Sequence, residues 1–151
     1  MRVHHVSPAD KDKLVALIDE VCGEGMMATT SFVPTPAWQR VLNDGTNGEY
    51  ILLIAEHAGD VIGWCRLFPT DQVGEAELGI GVRKRYRRQK VGATLLKRAL
   101  QWAKAHYNAL VLRTHKDNLP AQKLFEKFGF ILETPKAQVM TMRLNLLKEL
   151  Q

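Results

Sequence analysis

The sequence predicts an α/β fold, a mixed central sheet of about six to seven strands flanked by about four helices. Three observations carry this. Strand-like and helix-like apolar segments follow in the order strand, two helices, three strands, helix, strand, helix, two strands. The three strand signals between Tyr50 and Val82 are joined by short links, which argues an antiparallel meander. The 151 residues, 46% hydrophobic and 25% charged, have the size and composition of one domain, taken as 1–151, with its own core. No repeat, low-complexity tract or linker interrupts the chain.

Arg2 to Val6 is a short strand candidate. Ser7-Pro8-Ala9-Asp10 then reads as a helix start, with Ser7 as N-cap and Pro8 at the first helical position. Leu14, Val15, Leu17, Ile18, Val21 and Cys22 form its apolar stripe, and Gly23 and Gly25 end it. Met26 to Pro34 is an irregular connection. Thr35-Pro36 opens a second helix with Trp38, Val41 and Leu42 on one side, and Asn43 to Gly48 is a turn-rich break. Tyr50–Glu56 and Val61–Phe68 are strands about a hairpin turn at His57-Ala58-Gly59-Asp60. A loop, Pro69 to Gly74, leads into the strand Glu75–Val82. The helix Val91–His106 buries Val91, Leu95, Ala99, Trp102 and Ala103 and shows Lys97, Arg98, Gln101 and Lys104 to water. Ala109–Thr114 is a strand. Asn118-Leu119-Pro120 starts the last helix, with Ala121, Leu124, Phe125 and Phe128 inward and Gly129 as C-cap. Phe130–Leu132 and Val139–Leu144 complete the strands.

The net charge is +5, and it is local: Arg83, Lys84, Arg85, Arg87, Arg88 and Lys90 lie within eight residues. A cluster of that kind points to a discrete anionic ligand more than to a uniformly basic surface. The two cysteines, Cys22 and Cys65, are far apart in apolar surroundings, and no CxxC occurs, so neither a disulfide framework nor a zinc site is expected. The N-terminus lacks an apolar leader and the longest apolar run, Tyr50–Ala55, is too short to span a bilayer. The expected setting is the reducing cytoplasm, with no membrane partner.

The stretch Val82–Leu96, VRKRYRRQKVGATLL, is a strand end, a basic turn, one glycine and an amphipathic helix start. The first helical turn has N–H groups without intrahelical partners, and its dipole favours negative charge. A phosphate or pyrophosphate is the natural guest. The competing reading is a solvated basic loop, because the glycine content is low for a phosphate cradle.

Two segments resemble motifs of the GNAT superfamily, the acyl-CoA-dependent N-acetyltransferases. The family's phosphate-binding run is Gln or Arg, two residues, Gly, one residue, then Gly or Ala. It maps to Arg87-Arg88-Gln89-Lys90-Val91-Gly92. The family's later segment, roughly N-x-x-A-x-x-L-Y-E-K-x-G-F, maps to Asn118-Leu119-Pro120-Ala121-Gln122-Lys123-Leu124-Phe125-Glu126-Lys127-Phe128-Gly129-Phe130. The element order matches the family across nearly the whole chain, so the resemblance implies a GNAT-like fold and acetyl-CoA as cosubstrate. There are two departures. Lys90 stands where the family has its first Gly, and Phe125 stands where many members carry a Tyr whose hydroxyl protonates the leaving thiolate.

The resemblance places the pyrophosphate on the N–H groups of Arg87, Arg88, Gln89, Lys90, Val91, Gly92 and Ala93. It places the pantetheine arm along the backbone of Ile80, Gly81 and Val82. The N–H of Gly81 or Val82 would then face the thioester oxygen, a fixed dipole of the kind that is often the largest catalytic term. Asn118 is implied as a cofactor hydrogen-bond partner and reads equally as a helix N-cap. Phe125 would border the cofactor.

An alkyl amine has a pKa of about 10.4, so about one molecule in a thousand is neutral at pH 7 and a base is useful. Glu75 and Glu77 share a strand face with Gly79 and Gly81, two positions without side chains that would leave room for a ligand. Glu77, nearer the implied thioester, is the candidate base, acting through water; a solvated strand carboxylate is the equal alternative. Thiolate departure is the least demanding step, since a thiol has a pKa of about 8.5. The acceptor is expected between the Met26–Thr35 loop and the strand Glu75–Val82, with Met26, Met27, Phe32 and Trp38 as either pocket lining or core. Acidic Glu24, Asp71 and Glu75 would steer a cationic amine there.

The expected activity is transfer of acetyl from acetyl-CoA to a primary amine of a small molecule or protein, by direct attack. The alternative is a GNAT-like module that binds or senses CoA without turnover. A nucleic-acid binder is a third class, disfavoured because Tyr86 is the one aromatic residue in the basic run. His4, His5, His57, His106 and His115 lack metal-ligand spacing, so no metal is expected, and no Ser/His/Asp hydrolase arrangement is visible. GNAT enzymes are often dimers, which makes a homodimer an open expectation.

Overall fold

The computed structural model describes residues 1–27, 29–46, 48–133 and 137–146. Ala28 and Asn47, within the two irregular stretches expected from sequence, lie outside the described residues. Strand β1 (Arg2–His5) is followed by one 3-10 turn, Pro8–Asp10, and helix α1 (Lys11–Cys22). The expected helix start is thus split: the Asp10 carboxylate accepts from the Ser7 N–H at 2.9 Å and closes the first turn, and the α-helix begins at Lys11. Helix α2 (Pro36–Asp44) is capped by the Thr35 hydroxyl, which accepts from the Trp38 N–H at 3.3 Å.

Strands β2 (Ile51–His57) and β3 (Asp60–Pro69) form a hairpin. Its two turn residues, Ala58 and Gly59, have φ of 51° and 79°, the left-handed pair that matches strand twist in a tight hairpin. Strand β4 (Glu75–Val82) pairs antiparallel with β3, completing the meander. Helix α3 (Val91–His106) crosses over to β5 (Ala109–His115), which pairs parallel with β4. Helix α4 (Leu119–Lys127), β6 (Ile131–Leu132) and β7 (Val139–Asn145) follow. Among the described residues seven strands lie in the order β1-β2-β3-β4-β5-β7-β6 with four α-helices about them, the mixed sheet expected from the sequence.

Two apolar layers sandwich the sheet. Leu14, Leu17, Ile18, Trp38, Val41, Ile54, Trp64 and Phe68 form the layer under α1 and α2. Leu95, Ala99, Leu100, Leu110, Leu112 and Phe125 belong to the layer under α3 and α4. Cys22 and Cys65 are buried free thiols, and burial pushes Cys65 up to about 12, which leaves it un-ionised at neutral pH. Trp102 departs from the expected core face of α3: it is half-buried and stacks on His106, ring centroids 3.9 Å apart, one helical turn on. In α4, Phe125 is buried while Ala121 and Leu124 stay half-buried, because these two line an open cleft. Gly129, at φ 100°, ends the helix, and the Phe130 N–H returns to the Phe125 carbonyl at 3.0 Å.

Candidate active site

Strands β4 and β5 run together only from Glu75↔Ala109 to Leu78↔Leu112. Beyond that β4 stays with β3 and β5 stays with β7, so the sheet opens between Gly79–Val82 and Arg113–His115. The Arg83 N–H donates to Ile62 O of β3 at 2.8 Å. N–H directions alternate along a strand, so Gly79 and Gly81 also face β3, while Ile80 and Val82 present their N–H groups to the opening. This alternation separates Val82 from Gly81 as the residue whose N–H faces the cleft.

The opening is a cleft of about 680 Å³. The basic turn and the first turn of α3 border it on one side, and Met26 and Met27 also line it, with the Met26 carbonyl accepting from the His115 N–H of β5 at 3.3 Å. Ile80, Gly81, Val82, Arg87, Arg88, Lys90, Val91, Gly92, Ala93, Asn118 and Phe125 all border it. Gln89 and Glu77 do not. The Gln89 amide turns away and donates to Arg85 O at 3.1 Å.

At the basic end the backbone is unusual. Arg88 and Lys90 have φ of 63° and 67°. Lys90 thus occupies the left-handed conformation that glycine adopts freely, and it is the N-cap of α3. The first intrahelical bond runs from the Thr94 N–H to Lys90 O at 3.0 Å. The N–H groups of Val91, Gly92 and Ala93 precede it and carry the positive end of the helix dipole. A left-handed residue feeding a helical one makes a concave cluster of N–H groups suited to an anion. Gly92 supports the same reading. A Cβ there would meet Leu124 at 3.4 Å and Val82 at 3.7 Å, ordinary contact, so the protein's own packing does not demand a glycine. The residues present therefore fit a pyrophosphate.

The Arg87 side chain is already committed. Its Nε donates to Val82 O at 2.9 Å, and its two terminal nitrogens hold both oxygens of Glu24 at 2.7 and 3.0 Å. Arg88 and Lys90 have no ion-pair partner among the described residues. Replacing Lys90 by Gly should therefore relieve a left-handed strain of about 1 kcal/mol, largely offset by the entropy glycine loses on folding. Stability should change by less than about 1 kcal/mol. Low-salt CoA affinity should stay similar and its salt dependence fall, as read by titration calorimetry at several ionic strengths. An unchanged salt slope would place the ammonium in bulk solvent.

The room expected over Gly79 and Gly81 is not open. A Cβ on Gly81 would come within 2.2 Å of the Trp64 ring, and one on Gly79 within 2.8 Å of Arg66 Nε. Directly opposed residues of an antiparallel pair share a face, so the register Trp64↔Gly81 and Arg66↔Gly79 places both large β3 side chains over the two glycines. Gly81→Ala should accordingly cost about 1–3 kcal/mol through overpacking against Trp64, 2% exposed, measurable as a lowered urea midpoint.

Glu77 lies on this face between two guanidinium groups. Arg66 Nη2 approaches one oxygen at 3.4 Å, and Arg113 Nε donates to the other at 2.9 Å. Burial by itself would raise the Glu77 carboxyl, but the charge of Arg66 and the bond and charge of Arg113 outweigh it and hold the group below the ordinary carboxylate value. Arg66 itself lies 4.9 Å over Phe68 and 5.9 Å over Trp38. The steering expected from Glu24 and Glu75 is largely cancelled: Glu24 pairs with Arg87, and Glu75 with Arg143 at 2.8 Å. Asn118 caps α4, its side chain accepting from the Ala121 N–H at 3.4 Å, and it also borders the cleft.

Sequence reasoning missed Arg66 and Arg113, the partners of Glu77. Each was visible as a lone charge inside an apolar strand, VIGWCRLF and ALVLRT; that both meet Glu77 comes from cross-strand register and could not be read from the sequence. Among the described residues no group of three or more His, Cys, Asp or Glu could hold a metal, and no helix is long and apolar enough to cross a membrane.

Comparison with known proteins converges on one family. The chain is 29% identical over 149 residues to the uncharacterised N-acetyltransferase C1271.07c of Schizosaccharomyces pombe, covering 93% of this chain and 91% of that protein. It is 29% identical over 113 residues to the uncharacterised N-acetyltransferase YjdG of Bacillus subtilis, covering 71% of this chain and 67% of that one. Its fold superposes on YncA of Salmonella typhimurium, solved with its cofactor acetyl-CoA, with a TM-score of 0.80 at 18% identity, covering 100% of this chain and 96% of the other. A sequence model of the acetyltransferase (GNAT) family matches residues 20–130, which takes in α2, the whole β2–β4 meander, the basic turn and α4. With that match and the parted strands beside the basic turn, the chain belongs to the GNAT family of acetyltransferases.

Proposed function

We propose that the chain is one N-acetyltransferase domain that moves acetyl from acetyl-CoA to a primary amine by direct attack. The observation that carries this is the parting of β4 from β5 directly above a helix N-terminus, which gives a slot with free backbone donors at one end of an anion cradle. Acetyl-CoA, when bound, supplies the acetyl thioester. The N–H groups of Arg87 through Ala93, with the Arg88 and Lys90 side chains, hold the pyrophosphate. Ile80, Gly81 and Val82 offer the strand edge to the pantetheine arm, with the Val82 N–H polarising the carbonyl oxygen that gains charge. Asn118 and Phe125 form the opposite wall.

The amine enters from the Met26–Met27 end. Glu77 takes its proton through water, and the two arginines keep that carboxylate ionised throughout the physiological range. Phe125 has no proton to give, so the thiolate departs as the anion, which a thiol pKa of about 8.5 allows at modest cost. The two buried free thiols suit a reducing compartment, and we assign the protein to the cytoplasm.

The test is direct. Purified protein is titrated with CoA by calorimetry, then assayed for thiol release from acetyl-CoA against a panel of amines. Saturable CoA binding with amine-dependent thiol release supports the assignment. Binding without release from any amine would leave a CoA-binding module and defeat it.

A further inference from the structure

We infer that the acceptor is an α-amino acid, whose carboxylate is read by Arg113 while its amine faces the thioester. This rests on the proposed reading that the cleft takes acetyl-CoA at the basic turn and the amine at the other end.

The first support is position. Arg113 follows Leu112, the last β5 residue paired with β4, so it stands at the fork where the strands part and borders the cleft there. The second is charge. The ionic residues bordering the cleft are Glu24, Lys84, Arg87, Arg88, Lys90 and Arg113, and the one acid among them is held by Arg87. Among the described lining residues, four of the five cations belong to the basic turn, and the fifth, Arg113, stands apart from them on β5. Behind it the balance is also positive, since Arg66 and Arg113 share one carboxylate, Glu77. Glu75 and Glu133 both pair with Arg143 and do not border the cleft.

The third support is unused donors. A guanidinium has five N–H groups. Arg113 uses Nε toward Glu77, its terminal nitrogens have no partner among the described residues, and its side chain is 53% exposed. The bond to Glu77 fixes the plane of the fork. A pre-oriented guanidinium with two free nitrogens matches a carboxylate bidentately. Arg113 on β5 and Ile80 and Val82 on β4 border the same strand gap, so a small acceptor with its carboxylate one carbon from the amine would fit there. The steering toward a cationic acceptor expected from Glu24 and Glu75 is replaced by recognition of an anion.

The experiment compares the twenty common L-amino acids with their C-terminal amides as acceptors, using the intact chain and acetyl-CoA. At least one amino acid should exceed its own amide in kcat/KM by about 10- to 100-fold, the range of a charge-assisted hydrogen-bonded pair, and the difference should lie mainly in KM. In Arg113→Gln the acid-to-amide ratio should fall to near one, and Arg113→Lys should restore part of it. If every amide is used as well as its acid, or if no amino acid is acetylated, the inference is overturned. An unchanged ratio in Arg113→Gln, with the variant folded by circular dichroism, overturns the role of Arg113. CoA titration and thiol release with simple alkyl amines, run alongside, report separately on the acetyltransferase assignment. That assignment would survive loss of the amino-acid preference.

Discussion

Gly92→Val should abolish measurable CoA binding and leave the protein folded. Gly92 lies in the first turn of α3, on the wall of the cleft, and its φ is not in the left-handed range. The nearest protein atoms would stand at ordinary distance from an added Cβ, so the fold has space for one. Replacing glycine within a helix also recovers backbone entropy, about 0.5–1 kcal/mol relative to Ala, less for a β-branched residue. Thermal stability without ligand should therefore be unchanged or slightly raised. The ligand has no such tolerance. If the pyrophosphate sits on the N–H groups of this turn, the branches of Val occupy the space of its oxygens, and affinity should fall by about 100-fold or more, about 2.7 kcal/mol. Titration calorimetry with CoA checks the affinity, and a thermal melt of the free protein checks the fold. Unchanged affinity in a folded variant would move the cradle elsewhere.

Glu77→Gln should lower turnover by about 10²–10⁴-fold, the usual worth of one proton-transfer group, with CoA affinity nearly unchanged. The amide keeps the size of the side chain and an acceptor oxygen but removes the charge between Arg66 and Arg113. A stability effect accompanies the kinetic one. Arg66, with a side chain 16% exposed, loses its counter-ion, and breaking a buried pair from one side costs up to about 3–5 kcal/mol. The sign of the pH dependence follows from the depressed carboxyl. Its contribution to stability is fully present above the unfolded carboxyl value and is lost as pH falls through the lower folded value. The wild type should thus lose stability below about pH 4.5, where the variant's curve is flatter. Between pH 6 and 9 Glu77 is ionised throughout, so any acid limb in that window belongs to the acceptor's ammonium and should appear in both proteins. Wild-type turnover in Glu77→Gln would transfer the proton to another group or to bulk water and leave Glu77 as the anchor that orients the two arginines.

Element identity and order were legible in the sequence because they depend on local periods and local chemistry. The alternating run Glu75–Val82, the Ala58-Gly59 turn, the Thr35-Pro36 and Asn118-Leu119-Pro120 helix starts and the Gly129 stop each carry their own signal within a few residues. The local geometry behind the proposed anion cradle was legible for the same reason, since a strand end, a basic turn and a helix N-terminus are contiguous in the chain. What the tertiary structure decided is everything set by strand register. Which way the Val82 N–H points follows from the β3–β4 ladder. The space over Gly79 and Gly81 is filled by Arg66 and Trp64, which sit about fifteen residues away in sequence and directly opposite in the sheet. The company of Glu77, one arginine from β3 and one from β5, likewise comes from two strands brought together on either side of β4. Sequence fixes which groups a strand carries on each face; only the pairing of neighbouring strands determines which charges meet there, and with them the two ion pairs of Glu77 and the place of Arg113 at the fork.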